Sequence, residues 1–445
     1  MVTGVSFLQI ITCLFVGIFL IVLLTAKYRV HAFFALLMAA FVVGLGVQLP
    51  LQEVVTAVKD GFGNIMKSLG IVIVLGTTLG ILLEHTGSTQ VMATFILKSV
   101  GEKRASLAMS ITGFIVGMPI FCDSGYIVLS GLNNSLAKRT GIPVAVMAVS
   151  LATGLYAVHC MIPPHPGAAA AAGILQVDYG RFILAGIVVA IPTFIVGHLW
   201  AKHAGRSHQE TSEIVEEINL IDPIILPSTT RAFLPIIVPI LLIALKSFIV
   251  VEAGAINNWF SIFLSLGDPL IALFIGVMLA FNCKRKWDKQ TVATLLQDAA
   301  EKAGGILVII GAGGAFGAVL AATKIGSHLS SSIPLASLGI LFPFLLTFIL
   351  KTAQGSSTVA IITASSIVQP LLPALGLATG NGPLLCVLSM GAGSLMISHA
   401  NDAYFWVIAK FSGLGMSAML KVYTVATILM GLTAFVMVFI LSKFL

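Results

Sequence analysis

The strongest constraint on this chain is its recurring runs of apolar residues. Residues 7–26, 31–49, 68–83, 181–200, 233–251 and 422–444 are each nearly unbroken apolar sequence. About 18–20 such residues cross a bilayer as a helix. The whole chain is 58% hydrophobic and 9% charged, with a mean hydropathy of +1.07, which excludes a soluble globular domain. The sequence therefore predicts an all-α polytopic membrane protein. Its net charge of +7 does not point to nucleic acid, because the basic residues fall in short loops, where they act as orientation signals. The run at 7–26 lacks a basic leader and a small-residue cleavage site, so it reads as a retained first span. The five cysteines (Cys13, Cys122, Cys160, Cys283 and Cys386) are scattered without metal spacing and read as free thiols.

The order of features occurs twice. Each half has two spans, an amphipathic piece (51–60, then 290–303), a GxxxG span, two polar breaks and a closing span. Gly76/Gly80 align with Gly313/Gly317, and Ser150–Gly154 align with Ser389–Gly393. Small residues at these spacings let helices approach closely. The division expected is a first repeat at 1–202, a polar linker at 203–231 and a second repeat at 232–445. With Lys27, Arg29, the linker and Lys284–Lys286 in the cytoplasm, the first run of each half crosses in opposite directions. The repeats are then inverted, an arrangement suited to alternating access.

Four breaks hold the polar chemistry. Residues 156–167 carry Pro163, Pro164 and Pro166, which no helix passes unbroken, bracketed by His159 and His165. Residues 122–125 carry Asp123 and Ser124; residues 351–358 carry Lys351, Gly355, Ser356, Ser357 and Thr358; residues 398–402 carry His399, Asn401 and Asp402. Polar groups at interrupted helices are where a transporter keeps its substrate, and charge at membrane depth is usually functional. Ser124, Gly355, Ser356, Ser357 and Thr358 offer amides and hydroxyls to a carboxylate or to sugar hydroxyls. Lys351 stands where a cation could pair with a substrate anion or only snorkel. His165, His399, Asn401 and Asp402 join the substrate-binding set. Asp123, with His159 as runner-up, is the expected proton carrier, because its charge would repel an anion until protonated. No Walker A motif, nucleophile elbow or HExxH occurs, so ATP-driven transport and intramembrane hydrolysis have no visible chemistry.

Four strings carry a wider resemblance: Ile310-Gly-Ala-Gly-Gly-Ala-Phe316, Gln354-Gly-Ser-Ser-Thr-Val-Ala360, Ile162-Pro-Pro-His-Pro-Gly167 and Ser398-His-Ala-Asn-Asp-Ala-Tyr-Phe-Trp406. Together they make the chain similar, over essentially its whole length, to the gluconate permease (gluconate:proton symporter) family. Two positions depart from the family pattern: Cys122-Asp123 at the first break, and Gly-Ser-Ser-Thr at the hairpin of the second half. The resemblance implies two inverted-topology repeats with re-entrant hairpins and broken transmembrane helices, moving as an elevator. It implies a multi-pass protein of the bacterial inner membrane that imports gluconate or a related sugar acid by proton symport, and is not an enzyme. D-serine or another small hydroxy or amino acid is the alternative substrate, and a passive facilitator the alternative mechanism. No cofactor or metal is expected; the coupling ion is the proton, with sodium left open. The expected partners are a small anionic substrate and the lipid bilayer, with a homodimer left open.

Overall fold

The computed structural model describes residues 7–207, 226–248, 264–284, 286–324 and 335–445, and these are helical nearly throughout, with no strand among them. The first half comprises α1 (Phe7–Val22, continued by a wide turn to Lys27), α2 (Ala32–Gly46), α3 (Leu51–His85), α4 (Ser88–Val100), α5 (Ala105–Gly117), α6 (Cys122–Thr140), α7 (Val144–Met161), α8 (Pro166–Ile174) and α9 (Tyr179–Ala204). The second comprises α10 (Thr229–Phe248), α11 (Pro269–Phe281), α12 (Lys289–Ala322), α13 (Leu341–Gln354), α14 (Ser357–Val368), α15 (Gly382–Leu395), α16 (Ala403–Ser412) and α17 (Met416–Leu441). Seven helices among the described residues are long and apolar enough to cross a membrane. Most of the polar segment between the halves, residues 208–225, lies outside the described residues.

Two pairs of elements expected to be separate are fused. The amphipathic pieces and the GxxxG spans form single helices of 35 residues (α3) and 34 residues (α12). No proline stands between the parts, and the glycines at the junctions (Gly61, Gly63, Gly304, Gly305) each cost a helix only about 1 kcal/mol. At about 1.5 Å per residue these helices reach about 50 Å, well beyond a ~30 Å hydrocarbon layer. Their N-terminal portions, with Lys59, Asp60 and Lys67 in α3 and Asp298, Glu301 and Lys302 in α12, are accordingly charged. The two helices cross antiparallel: Gly61 meets Gly314 and Ala318, and Ile65 meets Gly314.

α5 and α13, at 13 and 14 residues, are too short to span, and each turns back into the next helix as a hairpin. The GxxxG faces receive these hairpins. A Cβ on Gly80 would lie 2.6 Å from the carbonyl oxygen of Pro119, at the tip between α5 and α6; one on Gly317 would lie 3.3 Å from the Ser366 backbone of α14. α7 packs along α5 and α15 along α13. The joint is the same in both halves. A Cβ on Gly154 would collide with the Ser110 carbonyl and lie 2.9 Å from the Phe114 amide nitrogen; one on Gly393 would collide with the Phe344 carbonyl and lie 3.1 Å from the Phe348 nitrogen. Each glycine thus sits against a carbonyl and the amide four residues on, in the first arm of its hairpin.

This backbone-to-backbone contact leaves no room for a side chain. Gly154→Val and Gly393→Val should each destabilise the protein by at least the ~1–3 kcal/mol of an overpacked core, read as a lowered melting temperature in detergent. Gly63→Val, at a position with no neighbour within 4 Å, should melt close to wild type. A Gly393→Val protein as stable as the Gly63→Val control would refute the shared joint.

Candidate functional site

Each broken helix stops for a local reason. α7 ends at Met161 because prolines follow, and α8 restarts with Pro166 at its first position, where the missing N–H costs nothing. α15 ends at Leu395, and α16 restarts at Ala403, capped by the Asp402 carboxylate, which accepts from the Tyr404 amide at 3.0 Å. α13 ends on Gly355, whose φ of 81° is left-handed, and α14 begins behind the Ser356 side chain, which accepts from the Val359 amide at 3.3 Å. A Cβ on Gly355 would strike the backbone of Asn401, so the hairpin tip rests directly on the second break.

All four interruptions meet at one cavity of about 460 Å³. The α5–α6 hairpin contributes Asp123 and Ser124, and the first broken helix His159 and Pro166. The α13–α14 hairpin contributes the stretch from Gln354 to Thr358, and the second broken helix Asn401, Asp402 and Tyr404. Four helices, α6, α8, α14 and α16, begin at this cavity, so four positive dipole ends converge there. Two already hold a carboxylate: Asp123 lies in the first turn of α6, and Asp402 caps α16. The N-terminus of α14 has only hydroxyls, from Ser356, Ser357 and Thr358. A carboxylate ligand is best matched there, by dipole and donors together.

Three residues expected from sequence to bind the ligand are not among those lining the cavity, and each meets a protein group. Lys351 does not line the cavity. Its side chain is 0% exposed, and its ammonium donates to Asp402 Oδ2 at 2.7 Å and to the Gly355 carbonyl at 2.8 Å. Its charge is therefore committed to Asp402, which takes a further bond from the Ser398 hydroxyl on the same oxygen. His165 donates from Nε2 to the Gly117 carbonyl at 2.6 Å, and His399 Nε2 lies 3.3 Å from the Thr352 carbonyl. Both tie a break to the C-terminal carbonyls of a hairpin arm, which have no partner within the helix. Asn401 lines the cavity but also donates to the Thr352 carbonyl at 2.8 Å. Asp123, Ser124, His159, Gly355, Ser356, Ser357, Thr358 and Asp402 line the cavity as well. Among the described residues Asp123 makes no ion pair.

The halves share this tie with different chemistry. Gly117 follows Phe114 by three residues as Lys351 follows Phe348, and His165 and Asp402 are the respective N-caps of α8 and α16. The first half thus closes the joint with an imidazole on a carbonyl, and the second with an ammonium on a carboxylate.

Sequence reading missed several wall residues. Gln354 borders the cavity with both amide atoms buried and unbonded among the described residues, and His159 Nδ1 is likewise unbonded. Gln354 precedes the Gly-Ser-Ser-Thr turn and was legible only as part of that string. Tyr156 and Tyr404 pack with ring centroids 5.6 Å apart and bond across the halves, to the carbonyls of Ser394 at 3.2 Å and Ala152 at 3.3 Å. Lys302, exposed on the charged part of α12, stands at the cavity edge; nothing in sequence marked that stretch as near the breaks.

Residues 9–444 match the model of the GntP family permeases. The chain is 34% identical to a gluconate permease of Pseudomonas aeruginosa over 95% of both chains. It is 31% identical to the Gnt-II system L-idonate transporter of Escherichia coli, covering 92% of this chain and 93% of that one. It is 30% identical to the D-serine transporter DsdX of the same species, covering 98% and 99%. In fold it is similar to the YdaH transporter of Alcanivorax borkumensis (TM-score 0.63, 15% identity, 88% of this chain and 89% of that one). It is also similar to MtrF of Neisseria gonorrhoeae (TM-score 0.60, 17% identity, 87% and 83%).

Breaking a buried ion pair from one side leaves an uncompensated charge, at a cost of about 3–5 kcal/mol, whereas removing both charges is far milder. Lys351→Met and Asp402→Asn should therefore each lower thermal stability sharply, and the double variant should recover much of the loss. Additive losses in that double-mutant cycle would show that the two groups are not coupled.

Proposed function

The chain belongs to the GntP family of permeases, and is thus a multi-pass membrane transporter rather than an enzyme; from there we propose that it imports a small hydroxylated carboxylate, gluconate or a related sugar acid, across the bacterial inner membrane by proton symport. The observation that carries this reading is the convergence of four helix N-termini on one cavity, with that of α14 free of protein carboxylate. In the proposed complex the substrate carboxylate sits on the Ser357 and Thr358 amides and hydroxyls. The hydroxyl chain lies along Gln354, His159 and Asn401, whose amides and imidazole supply both donors and acceptors.

Asp123 is the proposed proton carrier. It faces the same cavity from the opposite hairpin and makes no ion pair among the described residues, unlike Asp402. As a carboxylate it repels an anionic substrate; as an acid it does not. Protonation before substrate binding therefore couples the two. With the polar linker and Lys284 in the cytoplasm, the halves run as inverted repeats, and the cavity, bordered by exposed Lys302 on the N-terminal part of α12, opens toward the cytoplasm.

One observation favours an amino acid as the second reading. Asp123, with no ion pair among the described residues and facing the same cavity as the α14 N-terminus, would suit a zwitterion, with the ammonium on the carboxylate and the carboxylate on the helix. A D-serine transporter is among the relatives.

Uptake of labelled gluconate, idonate and D-serine into proteoliposomes, with and without an inwardly directed proton gradient, separates these readings. Sugar-acid accumulation that collapses with the gradient is expected, and preferential uptake of D-serine would replace the main reading with the second. Asp123→Asn should lose uphill accumulation while keeping substrate exchange; wild-type accumulation by that variant would remove Asp123 from the coupling step. Ser357→Ala should weaken substrate affinity about ten- to a hundred-fold, the ~1.5–3 kcal/mol of a hydrogen bond to a charged group. An unchanged affinity would displace the carboxylate from the α14 N-terminus.

A further inference from the structure

The joint between the α13–α14 hairpin and the second broken helix has the composition of a cation site. The Gly355 carbonyl, an Asp402 carboxylate oxygen and the Ser398 hydroxyl bonded to that same oxygen gather at the C-terminal end of α13, where the helix dipole is negative. Carbonyl, carboxylate and hydroxyl oxygens of this kind are what a hard cation takes. The place is filled by the Lys351 ammonium, at 2.8 Å from the carbonyl and 2.7 Å from the carboxylate, with the side chain 0% exposed. The equivalent joint of the first half has no charge to balance, because His165 donates to the Gly117 carbonyl. The second half is therefore the one of the two joints where folding leaves a carboxylate that demands a positive partner.

We propose that Lys351 is a tethered cation standing where a coupling sodium ion would otherwise bind, and that the hairpin of this transporter is held on its broken helix without sodium for that reason. An ammonium on a short leash satisfies Asp402 at every stage of a transport cycle, whereas a bound ion would have to be taken up and released. Removing the ammonium leaves one negative charge amid oxygen donors, and a small cation from solution then completes the joint. The functional meaning of this inference rests on the transport reading above; the measurement does not, since it needs no substrate.

The purified protein and its Lys351→Ala variant are melted in detergent in sodium chloride and in choline chloride of equal ionic strength. The wild type should melt at the same temperature in both. The variant should melt lower than wild type in choline and rise by several degrees, saturably, as sodium replaces choline, because a ligand that binds only the folded state stabilises it by mass action. Adding Asp402→Asn to the variant should abolish the sodium response. Lys351→Gln, which keeps a polar head in the joint, goes through the same melts and decides the matter if the alanine variant does not purify. A variant that ignores sodium, or a wild type that gains as much from sodium as the variant does, would overturn the proposal.

Discussion

A helix that stops at membrane depth must give its unpaired amides and carbonyls to something other than lipid. This chain stops helices at four such places and pairs the ends with each other. His165 bonds the end of α5, Asn401 bonds the end of α13, and the Gly355 tip rests on the Asn401 backbone. α8 packs against α14 and α6 against α16, so each hairpin leans on the broken helix of the opposite half. The cavity is what remains at the centre once these ends are paired, which is why its walls are the starts of helices.

The two halves reach this arrangement with one geometry and two chemistries. The glycine joints of α7 on α5 and of α15 on α13 meet the same pair of backbone atoms, a carbonyl and the amide four residues on, so the backbone contact is the shared element. The charge is not shared. Lys351 and Asp402 occupy the positions of Gly117 and His165, and two groups that are neutral or weakly basic in one half become an ion pair in the other. A buried pair of this kind adds little to stability when intact and costs much when half-broken. The pair links the end of α13 to the second break, and Asp123 is left as an acid on the cavity wall that makes no ion pair among the described residues.

Residue types were a good guide to the breaks and a poor guide to what each polar side chain does there. Proline at 163, 164 and 166 and the Gly-Ser-Ser-Thr turn end helices for local reasons, so the interruptions were visible in sequence. Lys351, His165 and His399 have the chemistry of ligand groups, yet each is spent on a neighbour distant in sequence, by 51, 48 and 47 residues respectively. Gln354 has the less suggestive side chain and is the one left facing the cavity with its amide unbonded among the described residues. The continuous α3 and α12 were misjudged because glycine in a helix is a modest local cost that the antiparallel crossing at Gly61 and Gly314 turns into a packing surface.

The sequence by itself determined that this is a helical membrane protein with interrupted helices. Those properties depend on hydrophobic run length, proline and glycine, which act within a few residues of themselves. Only the tertiary structure decided that the four interruptions share one cavity, that Lys351 pairs with Asp402, and that α14 offers an N-terminus free of protein carboxylate. Those outcomes turn on which end meets which across the two halves. Each is the solution to an unpaired polar group that no local stretch of sequence can satisfy alone.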